Sequence, residues 1–332
     1  MLSHRICHPI CRPFPRVLAI AFTTAAAFLP ACAAAQSDWP SRPITIVVPY
    51  SPGGAADAMG RMVARHLSQE LKQTVVVENR PGAGIMLGSQ FVARARPDGY
   101  TFLVGGGPNV LHQFIYRNVP YDLKKDLRAV AQLSELPNYM VAHPGRRFRS
   151  VADVLQRARE QPGTVTCAHY GTGTSGHLGC EMLASLGGVK LVNVAYRGGA
   201  PAIQDTLGGQ VDIAMVVEAL PYIQDKRLTG LGVSTKTRSP HAPDIPAIAE
   251  TLPGYDVTPW QGIFAPAGTP DDRVARVGAA IQAMLQDDAS QAQMKTLGVI
   301  PAWRNAAEMD AYVDLEIKRW GKVIPPLNIQ LD

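Results

Sequence analysis

The chain has 332 residues, of which 46% are hydrophobic and 18% are charged. This length accommodates one large domain or two of medium size, and the composition is that of a folded globular protein rather than a disordered one. The formal net charge of +5 falls to +2 without the first 35 residues, which hold three arginines and no acid. A near-balanced charge excludes the clustered basic surface of a nucleic-acid-binding protein.

The first 35 residues have the pattern of an export signal. Three arginines form a basic start, the apolar run 17–31 follows, and small residues lead to Ala35. The run of about 15 residues is shorter than the about 20 of a membrane-spanning helix, and the alanines fit a signal-peptidase site. We predict cleavage near Ala35 and a periplasmic protein. The alternative is lipid attachment at Cys32, because residues 29–32 (LPAC) loosely resemble a lipoprotein cleavage box.

Strand and helix patterns alternate from the start of the mature chain. The β-branched run 44–48 predicts a buried strand, and 55–71 carries apolar residues at helical spacing. Further strands are predicted at 74–78 and 100–104, with a second helix that ends near Arg96 between them. The order βαβαβ predicts a parallel sheet with helices on both faces.

The middle of the chain repeats this scheme, and the end does not. Strands are predicted at 129–133, 139–142, 165–167, 191–194, 211–216 and 230–234. Helices are predicted at 150–159, 199–207 and 220–226, and from the glycine run 171–176 to residue 186. After Pro270 the pattern is helical only, so these last helices need to pack on an earlier sheet, most simply that of the N-terminal lobe.

The alternation predicts an α/β fold of two lobes with a ligand cleft between them and two crossover segments, near 125–136 and 255–266. Residues 36–130 and 261–332 are assigned to the first lobe, and residues 131–260 to the second. Ligands of open α/β sheets bind outside the carboxyl ends of the strands. The loops that follow the predicted strands are therefore where we look for a site.

Residues 49–57 (PYSPGGAAD) join a predicted strand to a predicted helix. A helix start presents free N–H groups and partial positive charge, which suits an anion, and Gly53 and Gly54 allow close approach of the backbone. The segment lacks lysine and arginine, so we expect neutral hydrogen bonds to dominate. Asp57 is expected to point inward and tie the loop down. A Pro-Gly-Gly sequence also fits an ordinary turn.

Residues 171–176 (GTGTSG) have the same placement in the other lobe. Thr172, Thr174 and Ser175 add hydroxyl donors, and His177 lies in the first helical turn, where we expect it to bond the loop. The segment matches the dinucleotide fingerprint, but that site needs an acid about 20 residues further on. Here the next predicted strand is followed by Ala-Tyr-Arg, and no phosphate-loop lysine is present. The sequence therefore predicts neither a dinucleotide site nor a nucleotide phosphate loop here.

Cys167 and Cys180 remain after signal removal, and an even pair in an exported protein is a disulfide candidate. His169 and His177 lie nearby, and Cys and His are the usual ligands of zinc. The closely spaced ligand pairs of structural zinc sites are missing, so we predict no metal. Ser175 and His177 do not form a nucleophile elbow. An exported α/β hydrolase stays as the alternative, since a triad is recognised only by geometry.

Short motifs follow one another along essentially the whole mature chain. They are PYSPGGAAD at 49–57, VENRPGAG at 77–84, PDGYT at 97–101, GTGTSGHL at 171–178, YRGGAPA at 196–202, GGQVD at 208–212, PGY at 253–255 and APAGTP at 265–270. In this order they resemble the substrate-binding proteins of tripartite tricarboxylate transporters, the Bug family.

The resemblance implies a periplasmic-binding-protein fold of type II-like architecture that closes on its ligand, without catalysis or a cofactor. The implied ligand is a small carboxylate, such as an amino acid, a dicarboxylate or an aromatic acid. It would be held by the two loops, partly through ordered waters, with little help from charged side chains. The implied partner is a two-component membrane transporter, although a sensing or scavenging role stays open, and we expect a monomer.

The predicted binding residues come from both loops and from two further positions. Asn109 follows a glycine run where relatives often carry small hydroxyl residues, so it is a candidate for a distinct ligand contact. Glu218 follows a predicted strand and either faces the cleft, selecting an amine or hydroxyl of the ligand, or is a solvated acid at a helix start. The full set is Tyr50, Ser51, Gly53, Gly54, Asp57, Asn109, Thr172, Gly173, Thr174, Ser175, His177 and Glu218.

Overall fold

A computed structural model describes residues 39–327 and 329–331 of the chain. The predicted export signal lies outside these residues. Within them the strands are β1 Ile44–Val48, β2 Val75–Asn79, β3 Thr101–Gly106, β4 Leu127–Glu135, β5 Tyr139–Ala142, β6 Thr166–His169, β7 Val192–Ala195, β8 Ile213–Val216, β9 Thr229–Val233, β10 Trp260–Pro266 and β11 Ile300–Arg304. The helices are α1 Ala55–Leu71, α2 Met86–Ala93, α3 Gly107–Ile115, α4 Leu123–Asp126, α5 Val151–Glu160, α6 Ser175–Gly187, α7 Gly199–Leu207, α8 Leu220–Gln224, α9 Asp271–Gln286, α10 Asp288–Thr296 and α11 Ala306–Val323.

The first sheet has the strand order β11-β4-β10-β3-β1-β2. Strand β1 pairs in parallel with β2 and β3, whereas β10 is antiparallel to β3 and β4. Strands covered on both faces are continuously apolar, and Ile44, Ile46 and Phe102 are accordingly buried in one cluster with Met59 of α1 and Ile281 of α9. This packing fixes the carboxyl end of β1, where helix α1 begins.

The second sheet has the strand order β7-β6-β8-β5-β9. Strand β6 pairs in parallel with β7 and β8, and β5 is antiparallel to β8 and β9. Every residue of β8 is buried, as expected for a strand near the middle of a sheet covered on both faces. The parallel strands of this sheet lead into α6 and α7.

The chain passes between the two sheets after β4 and again after β9. The two crossings run side by side, because the Leu136 amide donates to the Pro259 carbonyl (2.8 Å) and the Ser234 amide donates to the Asn138 carbonyl (2.9 Å). The fold class predicted from the sequence, two α/β lobes joined by two crossovers, is confirmed. The predicted division between residues 130 and 131 falls inside β4, all of which belongs to the first sheet.

The segment after residue 270 returns to the first sheet, where α9 packs against α1 and α11 packs against β4. The prediction of helices alone was wrong here, because Ile300–Arg304 form β11 antiparallel to β4. This strand is short, contains a proline and is only partly buried, so it lacks the apolar alternation that marks a strand. The glycine run that precedes Asn109 ends β3 at Gly106 and begins α3 at Gly107.

Ion pairs connect the second crossing to α11. The Arg319 guanidinium contacts the carboxylates of Glu316 (2.9 Å) and Asp256 (3.3 Å). Glu316 is only 2% exposed and also accepts a hydrogen bond of 2.9 Å from the Trp320 indole. Burial raises the pKa of Glu316. The crossing is therefore held to α11 by the ion pair between Asp256 and Arg319, and the buried carboxylate of Glu316 binds the same guanidinium.

Candidate functional site

Loop 1, residues 49–54, joins β1 to α1. Gly53 has φ of 93°, a conformation that glycine adopts without the penalty a side chain would bring. Gly54 is the N-cap of α1 and provides no side-chain capping bond. A Cβ atom built on either glycine would have no neighbour within 4 Å. The first amides of α1 therefore lack intrahelical partners and open onto free space.

Asp57 holds loop 1 in place. It is 4% exposed, and its Oδ2 atom accepts hydrogen bonds from the Gly53 amide and the Arg61 Nε atom, both at 3.0 Å. Its Oδ1 atom accepts from Asn79 Nδ2 at 2.9 Å, and the same amide donates to the Tyr50 carbonyl at 3.1 Å. Chiefly through the Arg61 bond, these contacts lower the pKa of Asp57 to about 2. Asp57 thus faces inward.

Loop 2, residues 171–174, joins β6 to α6. The Thr174 hydroxyl accepts a hydrogen bond from the His177 amide (3.4 Å) and donates to the Gly171 carbonyl (2.6 Å). The Gly173 amide donates to His177 Nδ1 at 3.2 Å. Thr174 and His177 are therefore engaged in closing the loop. Thr172 is exposed, and its hydroxyl has no partner among the residues that the structure describes.

Ser175, the first residue of α6, contacts two polar side chains that the sequence did not indicate. Its hydroxyl is hydrogen-bonded to the Tyr170 hydroxyl and accepts a bond from Asn138 Nδ2 at 3.4 Å. Burial raises the pKa of Tyr170 to about 12, so the phenol stays protonated and can donate. Ser175 has no bond to a histidine, within the part of the chain that is described. It is not arranged as a nucleophile.

The two loops face one another between the sheets. Burial raises the pKa of Tyr50 in loop 1, and its nearness to Tyr170 beside loop 2 adds to the effect. Val217, which follows β8 of the second sheet, packs against the core cluster of the first sheet. A Cβ atom on Gly173 would lie 2.9 Å from the Cδ1 atom of Ile115 in α3. Residues of loop 1, loop 2 and α3 therefore lie close together between the two sheets.

Asn109 belongs to a buried polar network behind this cleft. Its Oδ1 atom accepts from the Gly106 amide (2.9 Å), and its Nδ2 atom donates to the hydroxyls of Ser89 and Tyr121 (both 2.8 Å). The Tyr121 hydroxyl also bonds His112 Nδ1 at 2.9 Å. Burial lowers the pKa of His112 to about 4, so the ring is neutral. The amide of Asn109 is fully engaged within the protein.

Glu218 lies at the carboxyl end of β8 and is exposed. Its carboxylate stands against the backbone of Gly199, the first residue of α7. Tyr170, beside loop 2, is close enough for the charge of Glu218 to contribute to its raised pKa. The cleft thus holds an acid from the second sheet in addition to the two loops.

Cys167 on β6 and Cys180 on α6 form a disulfide, with Cα atoms 6.1 Å apart. The pairing predicted from the sequence is confirmed. The bond joins the strand that leads into loop 2 to the helix that leaves it. It therefore fixes the spacing of the two elements that present the loop.

Residues 39–327 and 329–331 hold no group of three or more His, Cys, Asp or Glu side chains that could bind a metal ion. None of the helices in these ranges is long and apolar enough to cross a membrane.

The fold matches that of periplasmic binding proteins. One of these, BugD, superposes with a TM-score of 0.75 at 30% identity, over 88% of this chain and 100% of BugD. The model of the tripartite tricarboxylate transporter family receptor matches residues 59–329, and the chain belongs to this family.

Relatives extend the similarity beyond the family model. A UPF0065 protein from the tcbD-tcbE intergenic region of Pseudomonas sp. strain P51 is 40% identical over 291 residues, which are 86% of each chain. The structure of R. palustris Rpa4515 with adipate is 32% identical and has a TM-score of 0.76, over 86% of this chain and 97% of that one. The resemblance seen in the sequence motifs is confirmed.

Proposed function

We propose that this protein is an exported receptor that captures a small carboxylate between loop 1 and loop 2 without chemical turnover. One observation carries the proposal: helix α1 begins at Gly54 without a side-chain cap, and the space over Gly53 and Gly54 is open. Such a helix end offers unpaired amides and partial positive charge to an anion. Loop 2 faces it from the other sheet, and the adipate held by a relative is a carboxylate.

The donors in this clamp are neutral. Neither loop contains lysine or arginine, and Arg61, about two turns into α1, is bonded to Asp57. The carboxylate would meet the backbone amides that follow Gly54 and, across the cleft, the hydroxyl of Thr172 and the amide of Ser175. Neutral donors from a preorganised backbone hold an anion without a fixed counter-charge. Ligand release then does not require an ion pair to be broken.

The remaining predicted residues support the clamp rather than complete it. The side chains of Asp57, Thr174 and His177 form hydrogen bonds with the backbone of the loops. Asn109 bonds three neighbours inside the protein, so we assign it the task of holding the start of α3.

Closure of the cleft would use the two crossings, which follow β4 and β9, as a hinge between the lobe of the first sheet and the lobe of the second. We further propose that residues 1–35 direct export to the periplasm. The loaded receptor would then deliver its ligand to a two-component membrane transporter.

The proposal is tested by a substitution that introduces an acidic side chain at the anion site. Gly54 has extended backbone dihedrals, φ of −84° and ψ of 173°, which any residue adopts, and its Cβ position is free. Gly54→Asp should cap α1, leave the unfolding temperature unchanged or higher, and weaken binding of C3 to C6 carboxylic acids at least about 30-fold by occupying the amides.

Gly54→Ala is the matched control and should keep the affinity within about threefold, since it adds a side chain without an acceptor. Isothermal titration of both variants against the same acids decides the matter. Equal affinity in Gly54→Asp and Gly54→Ala would exclude loop 1 as the anion site. Turnover of ester or amide probes by the purified protein would instead support the hydrolase alternative.

A further inference from the structure

The carboxylate of Glu218 occupies a position that only a glycine partner permits. A Cβ atom on Gly199 would lie 2.8 Å from Glu218 Cδ and 3.1 Å from its Oε1 atom. Gly198, the N-cap of α7, has φ of 116°, which turns the chain so that α7 starts beneath the acid. The positive end of the α7 dipole therefore lies next to this carboxylate.

Glu218 also faces the site between the sheets. Its neighbour Val217 packs against the core cluster of the first sheet, which Tyr50 of loop 1 also contacts. On the other side, Tyr170 lies near both Glu218 and Tyr50. Glu218 thus stands on the second sheet beside the space between the two loops.

The charge of Glu218 has no cationic side chain to neutralise it. Within residues 39–327 and 329–331, its carboxylate makes no ion pair and no hydrogen bond. The α7 dipole supplies only partial charge. A carboxylate in a cleft attracts a ligand cation and repels a second ligand carboxylate, and this repulsion is a means of discrimination.

We propose that Glu218 determines specificity: the ligand is a carboxylate that carries an ammonium group at its other end, and dicarboxylates are rejected. The inference rests on the proposed function, because loops 1 and 2 must hold the ligand carboxylate for Glu218 to meet the opposite end. Dicarboxylates such as the adipate held by one relative should bind this chain weakly.

The test uses three ligand series that share one end and differ at the other. Each series has a carboxylate and a spacer of two to five methylenes, ending in an ammonium group, a methyl group or a second carboxylate. Isothermal titration is run on the full mature protein after dialysis, with wild type, Glu218→Gln and the control Glu70→Gln. Glu70 is exposed near the far end of α1, so the control removes the same charge about 20 Å or more from the cleft.

Wild type should prefer the ammonium series. Glu218→Gln should weaken that series about 10- to 100-fold, the range expected for a hydrogen bond between charged groups, and should strengthen the dicarboxylates. The methyl series should change less than about threefold, and Glu70→Gln should behave as wild type. Gly199→Ala, which displaces the carboxylate and keeps its charge, should also weaken the ammonium series.

The outcomes separate the two proposals. If the acids bind but Glu218→Gln leaves the order of the three series unchanged, the role of Glu218 is overturned while the carboxylate site stands. If no series binds to wild type, the proposed function itself is overturned. A wild-type preference for dicarboxylates would also overturn the role of Glu218.

Discussion

Removing the anchor of loop 1 should cost both stability and affinity. In Asp57→Ala the Gly53 amide, the Asn79 amide and the Arg61 guanidinium each lose the hydrogen bond to Asp57. In Asp57→Asn the side chain keeps its shape, and an amide oriented with its oxygen at the Oδ2 position retains the bonds from Gly53 and Arg61. Only the bond from Asn79 and the negative charge are then lost.

The expected magnitudes follow from these contacts. A hydrogen bond to a charged acceptor contributes about 1.5 kcal/mol or more, but Gly53 and half-exposed Arg61 can turn to water, and a partly exposed ion pair adds only about 0.5 kcal/mol. We expect losses of about 3 kcal/mol for Asp57→Ala and about 1.5 kcal/mol for Asp57→Asn. For a chain of this size the first corresponds to about 5 °C in unfolding temperature.

Calorimetry of the two variants beside Glu70→Ala, a change at the other end of the same helix, measures the stability. Hydrogen exchange of residues 50–54 reports on the loop, which should exchange faster in Asp57→Ala, and carboxylate affinity should fall about tenfold because binding must then order the loop. A variant that unfolds at the wild-type temperature and binds as wild type would refute the view that Asp57 holds loop 1.

Three further outcomes are expected. The pKa of Asp57 is about 2, below its ordinary 3.8. The carboxylate therefore stabilises the fold fully above about pH 4, and this stabilisation is lost as the pH falls through about 2. Between these pH values, the free energy of unfolding should change less with pH in Asp57→Asn than in wild type. Replacing Cys167 and Cys180 by serine opens a loop with a sequence separation of 13 and should cost about 3 kcal/mol relative to the oxidised protein. Denaturant unfolding measures this loss, and reduced wild type should show the same loss. Arg319→Ala leaves the carboxylate of Glu316 buried without its cation and should lower the free energy of unfolding by about 3 kcal/mol. A loss below about 1 kcal/mol in the same assay would show that Glu316 is solvated.

Local patterns were enough to predict the loops. The segments around Gly54 and Thr174 each combine a short strand, a glycine turn and a helix, all within about 30 residues, and the structure has these elements where the sequence placed them. The disulfide also followed from local information, since only two cysteines remain after the signal. In both cases the residues concerned lie on elements that follow one another along the chain.

Contacts between distant segments could not be predicted in this way. Asn138 precedes Ser175 by 37 residues and contacts it across the second sheet, and nothing in the sequence spacing indicates this contact. Asn109 was expected at a ligand because it follows glycines, but α3 begins at Gly107 and turns the amide into its own N-terminal network. Pro108 lies in the first turn of α3, where proline is well tolerated, so the glycines and the proline mark a helix start as readily as a loop.

The two halves of the clamp are fastened by different chemistry. Loop 1 is held by hydrogen bonds of Asp57, whereas the elements flanking loop 2 are joined by the bond between Cys167 and Cys180. Disulfides form and persist in oxidising compartments, so with the proposed export the scaffold of loop 2 would mature only after the chain leaves the reducing cytoplasm. A newly made chain would then hold its ligand poorly before export, which keeps the receptor from sequestering cytoplasmic carboxylates in transit.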